Sequence, residues 1–260
     1  MEYDTIEVSK NKEIVTVTLN RPEVHNAMNE HLMVELTNIF KDLSKDKTVR
    51  VIILTGKGKS FCAGADLNWM KSMVNYSMQK NLKDSKLLLN LFEAIYECPK
   101  PVIGRINGHA FGGGIGLIAV CDITISIPDL KFAFSEANLG IIPSVISTFV
   151  RPRINSSTMR RLFITAERFD SEIAHNIGLL DFIVASDELD SKVNYYIDQV
   201  KDSGPNAIKE IKKLIKNLGE MDTNSYKNYT LEKISELRVS DEGQDGINAF
   251  LNKTKPKWRE

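Results

Sequence analysis

The sequence predicts an α/β core followed by an all-helical end. Three observations carry this. Short β-branched runs alternate with longer amphipathic stretches up to about residue 186. Beyond that point the pattern becomes wholly helical. Within the first stretch, the apolar run Pro101 to Ile106 breaks at Asn107-Gly108, and three glycines, Gly112, Gly113 and Gly114, open the apolar stretch IGLIAVC, which reads as strand, glycine turn and buried helix. A chain of 260 residues, 42% hydrophobic, suffices for one large domain with an appendage. The expected division is 1–185 for the core and 186–260 for the helical region.

In order along the chain, Val15, Val17 and Leu19 alternate with Thr16 and Thr18, the period of a half-buried strand that ends at Asn20-Arg21-Pro22. Asn29 fits the cap of a helix with Leu32, Leu36, Ile39, Phe40 and Leu43 on one face. Val49 to Thr55 reads as a buried strand, and GKGKSFCAGADL after it as a glycine- and lysine-rich loop, where Lys57 and Lys59 are either solvated or positioned to meet phosphate. A helix with Leu88, Leu91, Phe92 and Ile95 precedes Pro99, and Asp122 to Ile127 and Lys131 to Phe134 supply further strands. In the helical end, Leu189, Val193, Ile197 and Val200 form one stripe. Pro205 begins a helix with Ile208, Ile211, Leu214, Ile215 and Leu218, closed by Gly219. Two more helices are expected around Leu231 to Leu237 and around Ile247 and Phe250.

Charge and cysteine usage narrow the function. Lys plus Arg equal Asp plus Glu at 34 each, so no global field draws the chain to nucleic acid or to a membrane surface. Cys62, Cys98 and Cys121 are odd in number, widely spaced and set in apolar surroundings, which fits neither a disulfide framework nor a metal site and points to the cytoplasm. The start MEYDTIEVSK lacks the character of a signal peptide, and no apolar run approaches membrane-spanning length.

The glycine stretch carries the chemistry. A strand, a glycine turn and a helix N-terminus present unpaired backbone N–H groups, and glycine allows a ligand to approach them closely, so the main chain here forms an anion hole. The dinucleotide fingerprint fails because its third glycine would fall on Leu117, and the phosphate loop ending at Gly58-Lys59-Ser60 fails because its first would fall on Ile53.

On the segments NRPEVHNAMN (20–29), SFCAGADL (60–67), KPVIGRINGHAFGGGIGL (100–117), CDITIS (121–126), FSEANLGIIP (134–143) and INAFLNKTKPKW (247–258), the chain resembles the enoyl-CoA hydratase/isomerase, or crotonase, superfamily. In AGADLNWM, FGGGIGLIAVCDI, IIPSVIS and FITAERFD it is similar to bacterial 3-methylglutaconyl-CoA and isohexenylglutaconyl-CoA hydratases. The resemblance implies a spiral of repeated ββα units followed by a helical trimerisation region, a homotrimer or dimer of trimers, and an acyl-CoA thioester as substrate. It implies no cofactor, since coenzyme A is part of the substrate, and no metal. The reaction would pass through a thioester enolate whose oxygen is held by the N–H groups of Ala65 and Gly113. Ala63, Gly64, Asp66 and Leu67 would line the adenine and pantetheine path with Gly112, and Lys253 would meet a CoA phosphate.

Hydratases of this family commonly use two glutamates. Glu136 matches the second, and Gly116 stands where the first would be. Glu136 lies between Phe134 and the apolar LGIIP run, which predicts burial and a raised pKa. His109 reads as scaffold, His25, His31 and His175 lack partner spacing for a metal or a triad, and Ser144 and Ser147 read as capping and packing residues, with holding water or a polar group of the substrate as the alternative. Arg151, Arg153, Arg160 and Arg161 offer guanidinium partners for a carboxylate on the acyl chain. Three activities stay open: hydration of a 2-enoyl-CoA, movement of the double bond between positions 2 and 3, and non-catalytic acyl-CoA binding or RNA association.

Overall fold

A computed structural model describes residues 3–259. Within it the chain divides into two compact units, Met1–Asn194 and Tyr195–Glu260.

The first unit builds two sheets from repeated strand–strand–helix turns. The hairpin β1 (Ile6–Asn11) and β2 (Ile14–Leu19) is antiparallel and leads to α1 (Glu30–Lys45), whose first turn is capped by the Asn29 side chain accepting from Leu32 N–H. Next come β3 (Val51–Gly56), β4 (Ser60–Cys62), α2 (Leu67–Met73) and α3 (Met78–Tyr96). They are followed by β5 (Val102–Ile106), β6 (His109–Phe111) and α4 (Gly113–Ala119), then β7 (Ile123–Ser126) and β8 (Lys131–Ala133). After β8 the chain makes a short 3₁₀ turn, Ser135–Leu139, and runs through α5 (Ser144–Val150), α6 (Ser156–Thr165), β9 (Phe169–Asp170), α7 (Ser171–Asn176) and β10 (Phe182–Ile183).

From β3 to β8 the first strand of each pair joins the larger sheet and the second the smaller, whereas β1 and β2 both lie in the larger. The larger sheet has the order β1-β2-β3-β5-β7-β10 and the smaller β4-β6-β8-β9. β2, β3, β5, β7 and β10 run parallel, and every residue of β3 is buried, as the apolar run Val51 to Leu54 in a central parallel strand requires. The core contains Phe40, Phe61, Phe92, Phe132 and Phe134, all fully buried. Two expectations change in this unit. GKGKSFCAGADL is no plain loop: Ser60–Cys62 is a buried strand and Leu67 starts α2. A strand, β6, also intervenes between the Asn107-Gly108 turn and the glycines.

The chain reaches the second unit along α8 (Leu189–Lys201), where Leu189, Val193 and Ile197 are buried. α9 (Pro205–Glu220) follows, with Pro205 in its first turn and Glu242 accepting from the N–H groups of Asn206 and Ala207. Gly219 does not close α9, which runs on to Glu220 and ends at an extended Met221. α10 (Thr223–Val239) and α11 (Asp241–Asn252) complete the unit, capped by Asp222 and Ser240. No helix among the described residues is long and apolar enough to cross a membrane.

Candidate active site

The loop at residues 63–66 rests on the segment at residues 21–28. Ala63 N–H donates to His25 O (3.0 Å), Met28 N–H to Gly64 O (2.6 Å) and Asp66 N–H to Met28 O (2.8 Å), making an isolated parallel bridge between Met28 and Ala65. The shelf beneath is fixed by Asn26, fully buried, whose side chain accepts from Arg21 N–H and donates to Lys57 O and Ser60 O. From the other side, Arg21 Nη2 meets Asp66 Oδ2 at 2.8 Å, and Asp66 Oδ1 accepts from Asn68 and Trp69 N–H at the start of α2. Asp66 is 4% exposed. Burial alone would raise its pKa, but the Arg21 bond and the two amides outweigh that and hold it below the usual carboxylate value.

The glycine turn abuts this loop. Gly64 has φ +88°, and a Cβ built there would lie 2.8 Å from Phe111 O and 3.8 Å from Gly113 N. Gly112 has φ +47°, and its N–H donates to Ala133 O (2.9 Å), tying the turn to β8. Both backbones adopt conformations that L side chains rarely take. Within the described residues the N–H groups of Ala65 and Gly113 have no hydrogen-bond partner. Ala65 is exposed and Gly113 half-buried, so two free backbone donors sit on adjoining loops.

Glu136 faces the same turn, with Oε1 3.0 Å from a Cβ built on Gly112. Its Oε2 is buried without a hydrogen-bond partner among the described residues. Burial pushes the carboxyl pKa up. The LGIIP run does not supply that burial, for Leu139 is 56% exposed and Ile142 74%. Beside Glu136, an apolar cleft of about 320 Å³ is lined by Ala137, Ile141, Ile142, Ser144 and Phe163, among others. Two backbone donors and a carboxyl of raised pKa around one glycine turn can stabilise an oxyanion and move a proton beside it.

The enoyl-CoA hydratase/isomerase family model matches residues 9–260. The chain belongs to this family. The crotonyl-CoA hydratase of Syntrophomonas wolfei subsp. wolfei is 30% identical over 260 residues, 99% of each chain. The peroxisomal Δ(3,5)-Δ(2,4)-dienoyl-CoA isomerase of Arabidopsis thaliana is 28% identical, covering 98% of this chain and 97% of the relative. The crystal structure of an enoyl-CoA hydratase from Shewanella pealeana superposes with a TM-score of 0.95 at 33% identity, covering 99% of this chain and 97% of that one. The crotonase fold, an α/β core followed by a helical C-terminal region, is therefore established.

Position 116, where the resemblance implied a glutamate in hydratases, leaves little room for a side chain. A Cβ on Gly116 would lie 2.6 Å from Phe92 Cζ and 2.7 Å from Ile146 Cγ2. Phe92, from α3, and Ile146, from α5, are buried and fill the place a side chain would take.

The remaining expected residues scatter. Leu67 is exposed at the start of α2, and Lys253, in the second unit, is an exposed, left-handed C-cap of α11. Lys57 pairs with Glu7. Arg153 is engaged by Ala119 O, Cys121 O and Asp181, and Arg161 by Glu167; Arg151 and Arg160 are exposed. His109 Nδ1 accepts from Lys131 N–H (3.0 Å), a scaffold contact between β6 and β8. His31 does have partners: with Asp4 and Glu35 it forms a group whose ligating atoms lie within 4.8 Å, although Glu35 also binds the amides of Asp4 and Thr5. Cys62 is fully buried and its thiol is pushed up to about 12, which removes it as a nucleophile. Sequence reasoning missed Arg21, Asn26, Met28 and Phe92 as parts of the site, because their partners lie far away along the chain.

Proposed function

We propose that this chain adds water across the 2,3 double bond of an enoyl-CoA thioester, with Glu136 as its one acid–base carboxylate. The observation that carries this reading is the Glu136 carboxyl, of raised pKa and with an unpartnered oxygen, beside two free backbone N–H groups. The thioester oxygen accepts from Ala65 and Gly113. Glu136 takes a proton from water as the water oxygen bonds to C3, and the π electrons pass to the thioester as an enolate. Protonated Glu136 then delivers its proton to C2, the enolate electrons return, and the carboxylate is regenerated. The reaction calls for no metal or cofactor beyond the coenzyme A of the substrate, which residues 63–67 and Gly112 would contact.

Movement of the double bond is the second reading. It is favoured by Phe92 and Ile146 closing position 116, since proton removal and return needs a single carboxylate. The similarity of AGADLNWM, FGGGIGLIAVCDI and IIPSVIS to glutaconyl-type hydratases supports a branched, 3-methylglutaconyl-like acyl group, for which Arg151 and Arg160 are the uncommitted guanidinium partners. A trimer, or a multiple of three, is supported by Ile211, Ile215 and Leu218 of α9 and Phe250 of α11, which lie exposed. A panel of enoyl-CoA esters including crotonyl- and 3-methylglutaconyl-CoA, followed by mass and ultraviolet absorbance, tests the function. A water adduct supports hydration, a shifted alkene supports isomerisation, and unchanged esters refute both.

A further inference from the structure

Met28 touches both halves of the donor pair. Its backbone brackets Ala65, with Met28 N–H donating to Gly64 O at 2.6 Å and Met28 O accepting from Asp66 N–H at 2.8 Å. Its side chain, 2% exposed, runs to the other donor, where Met28 Cε lies 2.2 Å from the position of a Cβ built on Gly113. The thioether methyl thus occupies the place of the side chain that Gly113 lacks. A single buried residue holds one N–H by its peptide and props the other by its tip.

We propose that Met28 is the spacer that sets the separation of the Ala65 and Gly113 donors, and so the polarisation of a bound thioester carbonyl, an inference that rests on reading these two amides as an anion hole. An unbranched side chain reaches across this gap, and close packing transmits its length to the backbone on either side. Shortening it leaves all three backbone bonds of the loop in place but removes the prop at Gly113. Met28 acts through the two amides, so it is a positioning residue.

The test uses the full chain and [1-¹³C]butyryl-CoA, an ester without the reacting alkene. Wild-type protein should move the carbonyl ¹³C resonance downfield on binding. Met28→Ala should lose much of that displacement and roughly 10- to 100-fold in kcat with a near-constant KM, because misplacement of about 1 Å costs on the order of 10² in rate. Met28→Leu, which refills the space, should recover most of both. If Met28→Ala does not fold, Met28→Val leaves a smaller void and should change both readouts in the same direction. A wild-type displacement that survives in Met28→Ala or Met28→Val, or a loss confined to KM, overturns the spacer and leaves the anion hole standing. No displacement in wild type overturns the hole and the spacer with it.

Discussion

The two walls of the site are built differently. The donor wall, residues 63–66 against Gly112 and Gly113, is over-determined: three backbone bonds to the shelf, the Arg21–Asp66 pair, two left-handed glycines and the Met28 tip all fix it. The carboxyl wall is a short 3₁₀ turn, Ser135–Leu139, closed by Gly140 N–H to Ala137 O and Ile141 N–H to Glu136 O, with apolar side chains left in solvent. One wall supplies geometry, and its residues matter by how well they are held. In the proposed reaction the other supplies a proton, and there one buried carboxyl oxygen without a partner among the described residues matters more than its surroundings. Substitutions should therefore damage the two walls in different ways.

The largest effect is expected at Glu136. Glu136→Gln keeps size and hydrogen bonding but cannot cycle a proton, so kcat should fall by at least about 10²-fold with little change in CoA-ester binding. Stability should move the other way. Glu136 has a folded pKa above its unfolded value, so its stabilising contribution is full below the unfolded pKa and declines as pH rises through the folded one. Glu136→Gln should accordingly melt higher than wild type at neutral pH, and the gap should close in acid. The acid limb of kcat/KM in wild type should likewise lie above the ordinary glutamate pKa of 4.5. Equal melting temperatures across pH would break the contrast on this wall.

Next comes the donor wall. Asp66→Asn leaves Arg21 without its buried partner and should cost about 3–5 kcal/mol of stability, the range for breaking a buried pair. Asp66 has a folded pKa below its unfolded value, so its contribution is present above the unfolded pKa and is lost as pH falls through the folded one. Wild type should lose stability in that acid range and Asp66→Asn should lose less there, as read by urea unfolding at a series of pH values.

A smaller effect is expected at position 116, which belongs to neither wall. Gly116→Ala places a methyl against Phe92 and Ile146 and should cost about 1–3 kcal/mol by overpacking, measurable as a lowered midpoint in urea. Kinetic constants of the protein that remains folded should change little.

How much of this was legible in the sequence follows from the distance over which each signal acts. The strand at Ile14–Leu19, the Asn29 cap and the stripe of α1 announce themselves through alternation, capping chemistry and helical period, all local. β4 and β6 span three residues each, too few to show a period, and were hidden inside glycine-rich stretches. Glu136, Ala65 and Gly113 were named through family resemblance, which carries positions but not their surroundings. The clamp from Arg21 to Asp66 joins residues 45 apart, and Phe92 covers Gly116 from another helix. No local pattern encodes either contact. The apolar run Leu139 to Ile142 misled for the same reason, since hydrophobicity foretold burial where the fold leaves the side chains exposed beside a cleft.

The central claim is that one carboxylate handles both proton transfers of the hydration. Running the reaction on crotonyl-CoA in D₂O and determining the relative configuration of deuterium at C2 and hydroxyl at C3 tests it most directly. A single Glu136 that takes a proton from water and returns it to C2 requires both new bonds on the same face of the double bond. Deuterium and hydroxyl on opposite faces would require a second acid–base group and would contradict the account.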